Sequence, residues 1–227
     1  MMHPDTELRF ISEAIGHGVV ATRDIPAGTI TWVQDKLDRE FTPEQVLALG
    51  GLHTATLEKY CFRNQHGRWV LCWDHARFVN HSFRSNSLTT GYGFEVAIRD
   101  IRAGEEVTDD YGYLNIMRPF EAIDEGVGRT TVYPDDLTRH HAKWDRQLQE
   151  IWAHIPEVRQ ALKPLLAPEV WTRICRVARG AEEMVSILEL YYHDETNPPA
   201  AGPRPVDRRT IAAHSRSRNG QHIGTKR

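Results

Sequence analysis

Two short stretches of the sequence combine residue types that can bind a polar ligand and act on a reacting nitrogen. Asn80 and His81 stand side by side before Ser82, so an amide and a ring nitrogen can be presented together with main-chain groups. Tyr111 follows acidic residues at a predicted strand end, where a phenol can donate or accept a hydrogen bond beside a nitrogen. Each stretch also has a plainer interpretation. The first can be only a hydrogen-bonded turn, and the second only a solvated acidic edge with tyrosines in the core. On these residues alone, both interpretations stay open.

A third stretch, residues 16–28, opens with closely spaced glycines. Gly16 and Gly18 flank His17, and glycine lets main-chain amides and carbonyls approach a ligand without interference from a Cβ. A tight turn between strands is the alternative. A phosphate-binding loop is disfavoured, because no Lys-Ser or Lys-Thr pair follows and no long helix begins there.

The elements that must position these residues are mainly short strands over residues 8–113. Residues 19–22 and 29–33 are β-prone and flank a Pro-Ala-Gly turn, which predicts a hairpin-like opening. Residues 69–73 predict a buried strand. Alternation of apolar and other residues over 94–99 predicts a half-exposed strand.

One short helix is predicted inside this β region. Residues 42–45 match a capping box with proline at the first helical position. The helix should run through Leu49 and end at the glycine pair Gly50 and Gly51.

The apolar pattern changes after residue 113 to steps of three and four residues, which is typical of helices. The first stripe comprises Leu137, His141, Trp144, Leu148, Ile151, Trp152 and Ile155. The second comprises Val170, Ile174, Val177, Ala181, Met184, Val185 and Leu188. We therefore predict a mainly β fold with an α annex (α+β), in which two helices pack on each other or against the β region.

In this order and at this spacing, the three stretches resemble the SET-domain family of protein-lysine methyltransferases. The resemblance rests on ATRDIPAG at residues 21–28, RFVNHS at 77–82 and GEEVTDDYG at 104–112. The last two make it specific, because turns like the first also occur in small clip-like β domains that bind no methyl donor. The match spans about residues 8 to 113. It implies a SET-type β-clip core with a knot-like C-terminal strand, in a stand-alone protein of bacterial type without cysteine-rich flanks.

The resemblance also implies a role for each matching residue. S-adenosylmethionine is the expected donor, with S-adenosylhomocysteine as its product, and a lysine of a protein or peptide is the expected acceptor. The expected donor-binding residues are Gly16, His17, Gly18, Arg77, Asn80 and His81. Tyr111 is the expected catalytic residue. Donor and peptide should enter from opposite faces and meet through a narrow channel.

The chemistry then requires a neutral amine, because an ammonium has no lone pair. The pKa of a free lysine is about 10.4, so the acceptor must lose a proton before it attacks the methyl group. Alignment of the reacting atoms should supply most of the catalysis. The sequence singles out no general base.

Three positions depart from the common family pattern. Phe83 and Ser85 stand where many members have cysteine and proline. Asp109 stands where many members carry an aromatic ring that lines the lysine channel. An acid there can retain water or pair with the incoming ammonium, so the number of methyl groups transferred stays open.

The cysteine-rich flanks of the family are absent, and no Cys-x-Cys cluster follows Tyr113, so no zinc or other metal is expected. We expect the helical annex to close the channel instead. Phe120, Tyr133, Trp144 or Trp152 could cover the adenine of the donor, and ordinary helix packing is the alternative for each.

Composition narrows the functional classes. The chain has 227 residues and a formal net charge of -3, so no global field favours nucleic acid or an anionic membrane. Three cysteines fit a reducing compartment better than a disulfide framework. No signal peptide is apparent, and no stretch reaches the roughly 18 apolar residues of a membrane span. We expect a cytoplasmic protein without nucleic-acid or membrane partners, and its oligomeric state stays open.

The domain organisation predicted from these patterns has four parts. They are an N-terminal arm (1–7), the SET-type domain (8–114), the helical annex (115–194) and a disordered basic tail (195–227). The tail has an excess of five basic residues and almost no large apolar side chain, so it cannot offset the entropy of ordering.

The functional prediction is a protein-lysine N-methyltransferase. One alternative is a SET-shaped module that has lost catalysis and recognises a peptide, which predicts donor or peptide binding without turnover. A β clip that binds no methyl donor is the other. The substrate is not predicted, because residues 50–74, which should form part of its groove, carry no recognisable peptide code.

Overall fold

Short strands precede the longer helices along the chain in the computed structural model, which describes residues 1–193. The strands are β1 (Thr6–Ser12), β2 (Gly16–Ala21), β3 (Ile30–Val33), β4 (Arg39–Phe41), β5 (Cys61–Arg63), β6 (Trp69–Leu71), β7 (Asn80–His81), β8 (Ser87–Thr89), β9 (Phe94–Ala97), β10 (Glu106–Asp109), β11 (Phe120–Glu121) and β12 (Thr131–Val132). The α-helices are α1 (Pro43–Leu49), α2 (Gly51–Tyr60), α3 (Asp136–Trp152) and α4 (Pro168–Ala178), and 3-10 helices span His75–Phe78, Tyr111–Tyr113, Lys163–Leu165 and Ile187–Leu190. The fold is α+β, as predicted, and the predicted tail lies outside the described residues.

The first sheet has the order β1-β2-β10-β7. β1 and β2 form an antiparallel hairpin, and β10 continues the sheet antiparallel to β2. β7 then pairs with β10 in parallel. The hairpin expected between residues 19–22 and 29–33 is therefore wrong, since β2 pairs with β1 while β3 joins another sheet. The turn before β3 is held instead by an isolated bridge between Ile25 and Ile101, which redirects the chain.

Two three-stranded sheets complete the β region, with the orders β3-β9-β8 and β4-β6-β5. β6 confirms the buried strand expected at residues 69–73, in a shorter form. β9 confirms a strand at residues 94–97, but the expected half-exposed face is wrong, because all four of its residues are buried. β9 is the central strand of its sheet, and Phe94 and Val96 pack against the helical annex. Glu95 points away from them into the interior as a buried carboxyl group.

The residues expected in an N-terminal arm contact this β region. Met2 is buried and forms a bridge with Trp32 of β3, and the His3 N–H donates to the Thr31 carbonyl. β1 itself begins at Thr6.

The capped helix predicted after residue 42 is confirmed as α1. The Thr42 hydroxyl accepts from the Gln45 N–H at 3.3 Å, and the Gln45 side chain accepts from the Thr42 N–H at 2.9 Å. Gly50 ends the helix with a positive φ of 79°. A second helix, α2, begins directly at Gly51, which the sequence analysis did not predict.

The annex consists of α3, α4 and connecting segments that pack on the sheet of β3, β8 and β9. The apolar stripe of α3 is buried as predicted. The second stripe was predicted too long, because α4 ends at Ala178. Gly180 has a positive φ of 69°, and the N–H groups of Gly180 and Ala181 bond back to Val177 and Arg176, which closes the helix. Within residues 1–193, no helix combines the length and apolar character required to cross a bilayer.

Candidate active site

The parallel pairing of β7 with β10 brings the Asn-His stretch beside the acidic strand. Asn80 lies opposite Thr108 and His81 opposite Asp109. The pairing continues past both strands, because the Ser82 N–H donates to the Asp109 carbonyl at 2.8 Å. Two segments about 30 residues apart in the chain therefore end at one place.

Asn80 connects this place to the glycine stretch. Its amide donates to the His17 carbonyl at 3.0 Å and to Glu106 Oε1 at 2.6 Å. Gly18 lies directly against them, since a Cβ at this position would be 2.2 Å from Glu106 Oε1 and 2.8 Å from the Asn80 amide nitrogen. No larger residue fits at Gly18 without displacing these groups. Gly16, by contrast, has a positive φ of 84° and open space where a Cβ would be.

Tyr111 begins the 3-10 helix that follows β10. Its hydroxyl donates to the Val79 carbonyl at 2.5 Å, and its N–H donates to His81 Nδ1 at 3.1 Å. Burial raises the pKa of the Tyr111 phenol, and nearby carboxylates raise it further. The phenol therefore keeps its proton at neutral pH.

His81 is held as a neutral ring. Burial lowers its pKa, and Nδ1 accepts the Tyr111 N–H, which assigns the ring proton to Nε2. Nε2 is buried and has no hydrogen-bond partner among the described residues. A buried donor without a partner is costly in free energy, so this nitrogen can serve a bound ligand.

A cavity of about 490 Å³ opens beside Tyr111. Its walls come from the end of α2, the strand β5 and residues 114–118. Trp32, Glu95, Asp109 and Phe120 also line it. The glycine stretch, Asn80 and His81 do not line this cavity, so Tyr111 lies between it and the Asn-His stretch.

Two buried carboxyl groups meet at this cavity. Glu95 and Asp109 are only 8% and 4% exposed, and their side chains hydrogen-bond to each other. The Tyr113 hydroxyl donates to Asp109 Oδ1 at 2.8 Å. Burial raises the pKa of both carboxyl groups, that of Asp109 to about 6 and that of Glu95 well above its usual range. Glu95 therefore keeps its proton and donates to Asp109, which carries the charge at neutral pH.

Arg77, also expected to bind the donor, lies in the 3-10 helix before β7. Its guanidinium donates to the main-chain carbonyls of Cys72 and Trp73 at 3.3 and 2.9 Å, and it lies 5.2 Å from the ring centre of Phe78. Arg77 lines the cavity, whereas the other expected donor-binding residues do not. The structure therefore separates it from the Asn-His and glycine stretches.

The annex fixes the strand end that carries Tyr111. Arg129 donates to the carboxylates of Asp110 and Asp136, the latter at 2.7 Å, and all three side chains are largely buried. Its guanidinium also lies 4.5 Å from the ring centre of Phe83. Phe83 in turn contacts His81 edge-on, with 4.5 Å between the ring centres. The phenylalanine that departs from the common family pattern thus joins the annex to the site.

Three of the four aromatic residues considered as covers for a bound ligand have ring contacts that place them. Trp144 and Trp152 are core residues, packed against Tyr113 and the sheet respectively, so they are excluded as covers. Phe120 lies beside both His81 and Tyr111, at 5.6 and 6.2 Å between ring centres.

Three residues of the site were not predicted from the sequence. Glu95 was assigned to an exposed face, although an acid between apolar residues in a short strand is a signal that could have identified it. Trp32 gave no signal beyond β propensity. Arg129 was not singled out, because its acidic partners are identified only by the fold.

A known protein family matches the part of the chain that contains the glycine stretch, the Asn-His stretch and Tyr111. Residues 16–112 match the sequence model of the SET domain. A crystal structure from Plasmodium falciparum, described as that of a candidate histone methyltransferase, is similar over 48% of this chain and 95% of its own, with 15% identity and a TM-score of 0.37. Comparison with curated proteins finds no match.

Proposed function

We propose that this chain, which contains a SET domain over residues 16–112, transfers a methyl group from S-adenosylmethionine to the side-chain nitrogen of a lysine in a protein. The observation that carries the proposal is the position of Tyr111. On one side of its phenol lies the Asn-His stretch, which is hydrogen-bonded to the glycine stretch. On the other side lies the cavity, whose walls contain no residue of Gly16–Gly18 and neither Asn80 nor His81. A donor on one side and an acceptor on the other would meet at this tyrosine.

The donor side has groups suited to the expected donor. The buried Nε2 of His81 lacks a partner, and the backbone at Gly16 is unobstructed. Main-chain groups of Gly16, His17 and Gly18 and the side chains of Asn80 and His81 would hold the donor. When bound, S-adenosylmethionine supplies an electrophilic methyl group on a positively charged sulfur. Donor binding by Arg77 stays a prediction, because Arg77 lies on the cavity side of Tyr111.

The acceptor side has the shape that a lysine side chain requires. The cavity combines apolar walls, which suit the methylene chain, with polar groups near Tyr111. The Tyr111 phenol stays protonated and bonded to the Val79 carbonyl, so its oxygen has a fixed position beside a reacting nitrogen. Positioning of this kind can supply much of a rate enhancement without covalent chemistry by the protein.

The proposal is tested with purified protein, isotope-labelled S-adenosylmethionine and cell extract. Transfer of label to a protein band is expected, and mass spectrometry should locate it on lysine. Tyr111→Phe should abolish the transfer. Tyr92→Phe is the matched control, because Tyr92 is a buried tyrosine whose hydroxyl bonds to the annex at Val185 and lies outside the site.

Calorimetry separates the alternatives. Donor binding without label transfer would indicate a peptide-binding module that has lost catalysis. A failure to bind S-adenosylmethionine at all would overturn the proposal. Asn80→Ala should weaken donor binding, since it removes the bonds to His17 and Glu106 that join the two stretches.

A further inference from the structure

Among residues 1–193, the carboxyl pair at the cavity has no lysine or arginine side chain as a partner, and the N-terminal ammonium pairs with Asp35. The hydrogen bonds of Asp109 go to Glu95 and Tyr113, and no described lysine or arginine forms an ion pair with either carboxyl group. A buried charge without a counter-ion is costly in free energy, and proteins retain such groups mainly at functional sites.

A second feature of the same cavity also lacks a partner. Trp32 lies opposite Glu95 in the β3–β9 register and lines the cavity, and it is only 5% exposed. Its indole Nε1 is buried and has no hydrogen-bond partner among the described residues. This donor is independent of the acids and belongs to a residue of the cavity wall, so a polar group bound there could supply its missing partner.

The chemistry of the lining identifies the ligand class. A carboxylate that accepts a proton from Glu95 and another from Tyr113 still has lone pairs free for a further donor. The missing counter-charge is positive, and the walls around it are largely apolar. An alkylammonium satisfies both conditions, because its charged end supplies hydrogen-bond donors and its chain is apolar.

We propose that the Glu95–Asp109 pair is the seat for the ammonium group of the substrate lysine and the acceptor of its proton. In this step an N–H bond of the ammonium breaks, an O–H bond forms on Asp109, and the nitrogen regains its lone pair. The proton passes to water when the product leaves the cavity. This inference rests on the proposed function and names the base that the sequence did not single out.

The pair does not titrate in isolation. The ionisable groups beside it are Cys72, Glu106, Asp110, Tyr111, Tyr113 and the N-terminal amine, and the walls of the same cavity also carry Glu58, Lys59, Arg63, Arg77 and Arg118. The thiol and both phenols have pKa values raised by burial and stay neutral at physiological pH. Protonation of Asp109 is therefore expected to remove the negative charge of the seat.

The test uses n-butylammonium as a probe of the seat, with no methyl donor present. The indole N–H signal of Trp32, in protein carrying isotope-labelled tryptophan, reports binding by nuclear magnetic resonance, and Trp32→Phe assigns that signal. The neutral probe 1-butanol has the same chain length. We expect the wild type to bind the amine at least about tenfold more tightly than the alcohol, since only the amine supplies the counter-charge.

Two variants and one control sharpen the result. Asp109→Asn should reduce the preference for the amine to about threefold or less, because it removes the charge, whereas Glu95→Gln should keep the preference, because its amide donates to Asp109 as the protonated carboxyl group does. Glu157→Gln changes an exposed acid in the annex and should leave the preference unchanged. The remaining tryptophan signals show whether each variant is folded.

A pH series on the wild type needs no variant. Amine binding should weaken by about tenfold between about pH 7 and about pH 5, as Asp109 gains a proton. Equal binding of amine and alcohol by the wild type, or an amine preference that survives Asp109→Asn, would overturn the inference. The amine test contains no methyl donor, so its result is independent of the label-transfer test. Label transfer without an amine preference would refute only the proposed seat. An amine preference without label transfer would refute only the proposed function.

Discussion

Asp109 and Asp110 are consecutive in the chain and both buried, yet their surroundings are opposite. Asp110 bonds to Arg129, which also bonds to Asp136, so its charge is compensated by the annex. Asp109 faces the cavity and bonds to another acid, Glu95. The compensated acid fixes the position of the strand end. The uncompensated acid is the one to which we assign the proposed ammonium seat, and the comparison therefore separates an acid with a structural partner from one with a proposed function.

Arg129→Met should break the comparison by leaving Asp110 and Asp136 without a counter-ion. The free energy of unfolding should fall by about 3–5 kcal/mol, since removing one partner of a buried ionic group strands the others. Chemical denaturation measures this loss. Arg102→Met is the control, because Arg102 pairs with Asp24 and both side chains are exposed, so its loss should cost far less. Equal losses would show that Asp110 is not held by Arg129.

Tyr111→Phe tests the residue that lies between the two sides. The transfer rate should fall about 100-fold or more, because the variant lacks the phenol oxygen to which the proposed function gives the task of orienting the reacting nitrogen. Donor affinity should change by less than about threefold, since the His81 bond uses the Tyr111 main chain. Single-turnover kinetics and calorimetry measure the two quantities. A large loss of donor affinity with an unchanged rate would contradict the assignment.

Asp109→Asn should sharpen the comparison through its dependence on pH. A carboxyl group whose pKa is raised in the folded state destabilises that state once it ionises, so the wild type should lose stability as the pH rises from about 4 to about 6. The variant lacks this loss. Its free energy of unfolding, relative to that of the wild type, should rise by roughly 1–3 kcal/mol over the same range. A constant difference across this range would show that Asp109 titrates normally in the fold.

Phe83→Leu should give the smallest effect. The substitution keeps an apolar side chain but removes the ring that lies against Arg129 and His81, so the free energy of unfolding should fall by about 1 kcal/mol. Thermal unfolding is the measurement. The double variant with Arg129→Met should lose less than the sum of the single losses, because both changes remove the same contact.

The sequence was informative where structure is local. The capping box at Thr42 predicted the start of α1, and the apolar spacing from Leu137 predicted α3, because both signals act within a few residues. The apolar spacing also predicted that α4 continues past Ala178, but the helix ends there because the chain turns at Gly180. The spacing of apolar residues therefore does not by itself predict where a helix ends.

Strand pairing was the weaker part of the prediction. The opening hairpin was placed between β2 and β3, but β2 pairs with β1 and β10. Alternation of residue types predicts which side of a strand is apolar, whereas partners are chosen by contacts far along the chain. The parallel pairing of β7 with β10 is such a contact, and it supports the expectation that Asn80 and Tyr111 act at one place.

The sequence by itself determined which residues can carry chemistry, because the Asn-His stretch, the glycines and Tyr111 are recognised by type and spacing. It also determined the helices whose signals are local. Only the tertiary structure decided that Glu95 is buried beside Asp109, while Arg129 compensates the next residue along. The physical reason is that the pKa and the binding capacity of a carboxyl group depend on burial and on partners from distant segments, neither of which a stretch of neighbouring residues contains.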